Sequence, residues 1–294
     1  MKPLKKIGLL GHSHSVCMLD SMDKDWRDQL PSQEKSPDER YPETHQNWFT
    51  TDTKDFVVDI PSQKLNEKFA VEDTDLSLYP IYGATAGGNL TTCTLDAAGN
   101  KQMFLTEVYN SYLKKFKDYD YMISTIFGND HAFLAYVDNL PGYDFLELGN
   151  ENPNPLEKQF RPIDQYDITK FMTGYTDNIV HALYCATSMN PNLKIIHLLP
   201  PPPLKKPDTT IFKEILQPLL EEHGILRPSL RLKLYNSYCW ILSKKLTEFG
   251  VKVLPPPPES FTKDGYKKMS FTDGLTHGNA KYGELCWRQI FKEI

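Results

Sequence analysis

No apolar run in this sequence approaches the roughly 18 residues that a membrane-spanning helix requires, so no span is encoded. Its five cysteines, Cys17, Cys93, Cys185, Cys239 and Cys286, never fall as CxxC or at a metal-knuckle spacing. An odd, scattered set of this kind argues against a disulfide framework and reads as reduced, mostly buried thiols. Excess positive charge is also missing. With 33 Lys and Arg against 38 Asp and Glu, the net charge of -5 offers nucleic acid no electrostatic footprint. A secretory leader is not expected: after the basic start MKPLKK, only Ile7 to Leu10 are apolar, short of the roughly 7 to 15 residues of a leader core. Reduced thiols and no leader make cytoplasmic localisation the expectation.

What is present suits a single large core. The chain has 294 residues, of which 40% are hydrophobic and 24% charged, and it reads as one domain over 1–294 without internal repeats. Five short apolar runs each end in turn-forming or special residues. They are Lys6 to Leu10 before GHSHS, Leu76 to Tyr82 before GATAGGN, Tyr121 to Phe127 before GNDH, Leu193 to Leu199 before PPPP, and Val251 to Leu254 before a second PPPP. Continuous runs of this length predict strands buried on both faces. Between them, helical spacing predicts helices over Phe104 to Phe116, Ile168 to Met189, Leu230 to Phe249 and Asn279 to Ile294. Alternating strands and helices imply a parallel sheet covered on both sides, whose ligands sit outside the carboxyl ends of the strands. The polar, Gly-rich and Pro-rich segments all follow strands, so they gather at that edge. Residues 21–59 and 140–164 fit the alternation poorly and read as long loops that shape or cover a site.

GHSHS, Gly11 to Ser15, admits three readings: a nucleophilic serine, a His-x-His metal site through His12 and His14, or a polar turn. A hydroxyl nucleophile needs a His base, an acid that orients the base, and donors for the oxyanion. The chain offers each behind a strand. Ser13 follows the first, Gly83 and Asn129 follow two later ones, and Asp273 with His277 stands in TDGLTHGNAKYG before the last helix. His-x-His without nearby carboxylates or cysteines is weak evidence for a metal. GATAGGN lacks the full GxGxxG spacing, and no P-loop Lys-Ser/Thr is present, so neither a metal nor an organic cofactor is implied.

In this order the residues resemble the SGNH (GDSL-like) hydrolases, whose hallmarks are Ser, Gly, Asn and His. GHSH stands at the nucleophile turn, YGATAGGN at the Gly, FGNDH at the GxND and DGLTHGN at the DxxH. The combination of GNDH, LPPPP, LPPPPES and THGNAKYG is similar to a bacterial group often associated with polysaccharide gene clusters. The resemblance spans Gly11 to Gly283. It implies a three-layer α/β/α sandwich, flavodoxin-like, with a five-stranded, mostly parallel sheet. It also implies that Ser13 is the nucleophile, His277 the base and Asp273 the orienting acid. The oxyanion hole would come from the N–H groups of Ser13 and Gly83 and the Asn129 amide. The implied activity is a serine esterase that removes small acyl groups, O-acetyl above all, from a carbohydrate. Two departures are visible. His12 replaces the family's usual Asp, and three residues rather than two separate Asp273 from His277.

Each residue has a plainer reading. Ser13 could end a strand, Asn129 could stabilise a loop, and Asp273 could be an acid preceding a helix, leaving His277 to lean on a backbone carbonyl. Ser15 and Asn279 read as caps, and His45, His181, His197 and His223 have no companions in sequence. Tyr41, Trp48, Tyr82 and Tyr143 could stack on a sugar or sit in the core. Two alternatives of function stay open: a sugar O-acyltransferase using the same residues, and a catalytically inactive glycan-binding or assembly protein.

Overall fold

A computed structural model describes residues 5–11, 13–22, 58–60, 62–71, 74–80, 90–96, 101–126, 136–138, 140–207, 217–273 and 277–294. The central sheet is built from β1 (Lys5–Gly11), β2 (Val58–Ile60), β3 (Thr74–Pro80), β6 (Tyr121–Thr125), β9 (Lys194–Leu198) and β10 (Lys252–Leu254), in the order β10-β9-β6-β1-β3-β2. Between β3 and β6 in the chain lies an antiparallel hairpin of β4 (Thr91–Leu95) and β5 (Lys101–Leu105). Between β6 and β9 lies a two-residue ladder of β7 (Tyr143–Asp144) and β8 (Arg161–Pro162). The helices are α1 (Val16–Met22), α2 (Ser62–Phe69), α3 (Glu107–Lys115), α4 (Gln165–Met189), α5 (Gln217–His223), α6 (Pro228–Glu248) and α7 (Ala280–Ile290).

All five expected strands are present and parallel to one another, so the chain is an α/β protein with a mostly parallel sheet. The sheet has a sixth strand beyond the expected five: β2 pairs antiparallel with β3 at the edge, starting at the end of the stretch 21–59 that reads as a loop. Three residues are too short to show a period. The long-loop expectation also fails at the start of that stretch, where Ser21 and Met22 belong to α1. The expected helix from Phe104 begins instead at Glu107. Phe104 and Leu105 pair with Thr92 and Thr91, and Thr106 caps α3 by accepting the Tyr109 N–H.

Alternation along the strands sorts side chains into two layers. Ile7, Leu9, Ile123, Ile196 and Leu198 pack with α1, α2 and α7, while Leu10, Met122 and Ile195 pack with α3, α4 and α6. The result is the three-layer sandwich. Caps set the helix starts on both faces. Asp164 accepts the Asp167 N–H at the head of α4, and Asn279 accepts the Lys281 and Tyr282 N–H groups at the head of α7. The α7 face meets α1 closely: Trp287 donates to the Met18 carbonyl at 3.1 Å, and a Cβ at Gly283 would overlap the Cys17 carbonyl.

In sequence order the five parallel strands stand as 2-1-3-4-5 across the sheet. This order places a topological switch point between β1 and β6, whose carboxyl ends open the crevice favoured by ligands. The pairing Gly11↔Thr125 closes that end of the two strands.

Candidate active site

The exit from β1 is sterically fixed. A Cβ at Gly11 would overlap Thr125 Oγ1, so only glycine lets the last residues of β1 and β6 lie this close. One residue later the chain enters a single 3-10 turn, Ser13–Ser15, that runs directly into α1. Of Ser13 the backbone is described, and it sits at the switch-point edge. His14 and Ser15 are buried, as is Cys17, whose thiol donates to the His14 carbonyl at 3.1 Å. Burial, then the Asp20 charge, pushes the Cys17 thiol up to about 12, so it is a protonated donor and no competing nucleophile.

The second half of the site comes from the far end of the chain. Just before α7, β11 (Thr272–Asp273) and β12 (His277–Gly278) form an antiparallel pair in which Asp273 stands directly opposite His277. Directly opposed residues project to the same face with Cβ atoms about 4.5 to 5.5 Å apart. The three-residue interval that departs from the family pattern is therefore what a hairpin needs to set this acid beside this histidine. Asn279 anchors the hairpin, donating from its amide to the Ser270 carbonyl at 2.9 Å while it caps α7.

The two halves meet through their rings. The His14 and His277 imidazoles stack with centroids 4.3 Å apart and planes inclined by 25°. His14, adjacent to Ser13, thus touches a histidine far along the chain, and the GHSHS turn and the THG hairpin form one locus. Behind the stack a narrow crevice is lined by His14, Cys17, Thr125, Leu198, Pro201 and Gly278. Its Pro200–Pro203 wall is held rigidly: Tyr235 donates to the Pro200 carbonyl at 2.8 Å, and the Leu204 N–H donates to Tyr136 Oη at 2.9 Å.

Beneath the hairpin lies Lys267, which sequence reasoning misses. The lysines of KDGYKKMS have the look of a solvated face, yet Lys267 is 2% exposed and its Nζ donates to the His277 carbonyl at 2.9 Å. Its backbone is pinned through an N–H donated to Pro203 at 3.0 Å. Burial pulls the Lys267 ammonium down to about 7, against the upward influence of Cys17 and Asp273.

The structure therefore brings Ser13, Asp273 and His277 to one edge and adds His14 and Lys267. Gly83 and Asn129, the other two expected oxyanion donors, lie outside the described residues, as do His12, Tyr41, Trp48 and Tyr82. Tyr143 is exposed on β7, and Asn279 is the expected cap. His197 is buried in the sheet, its Nδ1 3.1 Å from Ser124 Oγ, and burial pushes it down to about 3, which keeps it neutral. Among the described residues no group of three or more His, Cys, Asp and Glu side chains is placed to hold a metal ion. No described helix is long and apolar enough to cross a membrane.

No family model and no curated protein matches the chain. Solved structures do align over its whole length. The periplasmic domain of a lipopolysaccharide acetyltransferase from Salmonella ser. Paratyphi A is 9% identical with a TM-score of 0.46, the alignment covering 100% of this chain and 84% of that one. A candidate GDSL-like lipase from Parabacteroides merdae is 12% identical with a TM-score of 0.45, covering 100% and 96%. An acetyl-xylooligosaccharide esterase from Geobacillus is 10% identical with a TM-score of 0.42, covering 99% and 94%. Similarity to solved GDSL-like enzymes at these values is a similarity of outline, and the chain's own residues must carry the chemistry.

Proposed function

We propose that this chain is a serine ester hydrolase of the SGNH type that removes small acyl groups, chiefly O-acetyl, from a carbohydrate. Ser13 Oγ attacks the ester carbonyl while His277 takes its proton, and Asp273 holds the imidazole in the orientation that receives it. The N–H groups of Ser13 and Gly83 and the Asn129 amide stabilise the oxyanion. His277 then returns the proton to the departing sugar hydroxyl, leaving an acyl-Ser13 ester. Water attacks that ester as His277 accepts its proton, His277 passes the proton to Ser13 Oγ as the acyl–oxygen bond breaks, and the released carboxylic acid ionises. No cofactor or metal enters this reading, and a reducing, cytoplasmic setting belongs to it through the scattered thiols.

The observation that supports it most is the register of the Asp273–His277 hairpin together with the stacking of His277 on His14 beside Ser13. The carbohydrate and the acetyl group rest on the motif resemblance alone. Hydrolysis of p-nitrophenyl acetate tests the core of the reading, with folding followed by circular dichroism. Ser13→Ala should be folded and inactive, and Asn129→Ala should lose about 100- to 1000-fold in turnover. Equal hydrolysis by wild type and both variants would contradict it.

A further inference from the structure

Charged side chains are almost never buried without a reason that outweighs desolvation, and two lysines here are buried to the same depth. Lys233 closes on both oxygens of Asp144, at 2.9 and 3.0 Å, which accounts for its burial. Lys267 donates to a main-chain carbonyl at 2.9 Å, and that carbonyl belongs to His277. Two titratable groups from further elements face its ammonium: Cys17 from α1, whose protonated thiol carries no charge near neutral pH, and the Asp273 carboxylate from β11. His14, from the turn before α1, faces the same imidazole from its ring side. Lys267 is thus set below the hairpin that carries the Asp273–His277 pair, on a backbone pinned to the Pro200–Pro203 wall.

We propose that Lys267 is a positioning residue for the base: its buried ammonium grips the His277 carbonyl and sets the positive charge against which the His277 imidazole must take a proton. This rests on the assignment of His277 as the base. Two consequences follow from elementary electrostatics. The grip fixes the main chain of β12, so the ring meets Ser13 in one geometry. The charge opposes imidazolium and favours the Asp273 carboxylate, so His277 stays neutral and ready to accept a proton at lower pH than it would alone. When Lys267 itself loses its proton, with rising pH, that opposition is removed.

The test is an NMR titration of the His277 ring in the full chain, for wild type, Lys267→Met and Lys267→Arg. Removing the charge should raise the His277 midpoint by on the order of one pH unit in Lys267→Met, whereas Lys267→Arg, which keeps the charge, should leave it within a few tenths. The acid limb of kcat/KM should move with the midpoint. A lysine that serves only to fill space would leave both where they are. Should Lys267→Met fail to fold, wild type and Lys267→Arg suffice. The wild-type ring resonance should inflect a second time near pH 7 as the neighbouring ammonium titrates, and the arginine variant should not. An unmoved midpoint in the folded methionine variant, or a single inflection shared by wild type and Lys267→Arg, would overturn the proposal. Loss of the esterase reading looks different: no variant would hydrolyse ester, while the His277 midpoint would still respond to Lys267.

Discussion

Lys233 and Lys267 are each 2% exposed, and their surroundings differ in a way that separates scaffold from site. Around Lys233 every charge is answered. Asp144 accepts from Lys233 Nζ and from the Glu157 and Phe145 N–H groups, Arg227 lies 3.5 Å away, and Glu157 in turn holds Arg227 and Ser229. This network staples the long segment 140–164 to α6. Burial pushes the Asp144 carboxyl upward, but those donors outweigh it and hold the group below its ordinary value. Around Lys267 burial wins instead, and the ammonium is drawn down to about 7. A compensated buried charge rigidifies a loop. A buried charge that desolvation draws down stores a response to pH beside the candidate base.

The largest effect expected of this contrast is on stability. Asp144→Ala leaves the Lys233 ammonium buried without its carboxylate and should cost about 3 to 5 kcal/mol in urea unfolding. In the wild type the same pair has an acid signature. Because the folded Asp144 value lies below its unfolded 3.8, its contribution is present above that pH and is lost as pH falls through the folded value. A wild-type unfolding midpoint that ignores acid below pH 4 would break the contrast on that side.

Lys267 should behave in the opposite sense. Its folded value of about 7 lies below the unfolded 10.5, so between them the unfolded chain binds the proton that the folded chain has released. Stability therefore rises with pH across that window. Relative to Lys267→Met, which lacks the group, wild-type stability should gain about 1 kcal/mol per pH unit between pH 7 and 9. Parallel stability curves for the two proteins would show Lys267 to be as well compensated as Lys233. The smallest effect concerns the hairpin's anchor. Asn279→Ala removes the cap of α7 and should cost about 1 kcal/mol in the same assay, with the hydrolytic rate falling as the hairpin loosens.

Much of the fold is legible in the sequence, for physical reasons that particular elements make plain. β1, β6 and β9 announce themselves because parallel strands buried on both faces read as unbroken apolar runs, and β3 and β10 show shorter apolar stretches of the same kind. The four expected helices carry their spacing, and α3, α4 and α7 also carry a capping side chain. β2 is illegible because three residues cannot show a period. The β4–β5 hairpin is hidden because Phe104 and Leu105 fit a helical face equally well until Thr106 takes the cap. In the site, the order of Ser13, Asp273 and His277 can be read, but the means of pairing the last two cannot. A DxxxH interval looks like a defect until the antiparallel register of Asp273 with His277 shows that it is a hairpin. His14 is visible only as a weak metal motif, and Lys267 leaves no trace, because the burial of a single lysine depends on segments far apart in the chain.

The central claim is that Ser13 is a nucleophile served by His277. Its most direct measurement is covalent labelling with a fluorophosphonate, which transfers its phosphonyl group to an activated serine with loss of fluoride, followed by peptide mass mapping. A single adduct on Ser13 in the wild type, with labelling slowed at least 1000-fold in His277→Ala, is the predicted result. An adduct on another residue, or equal labelling of both proteins, would contradict it.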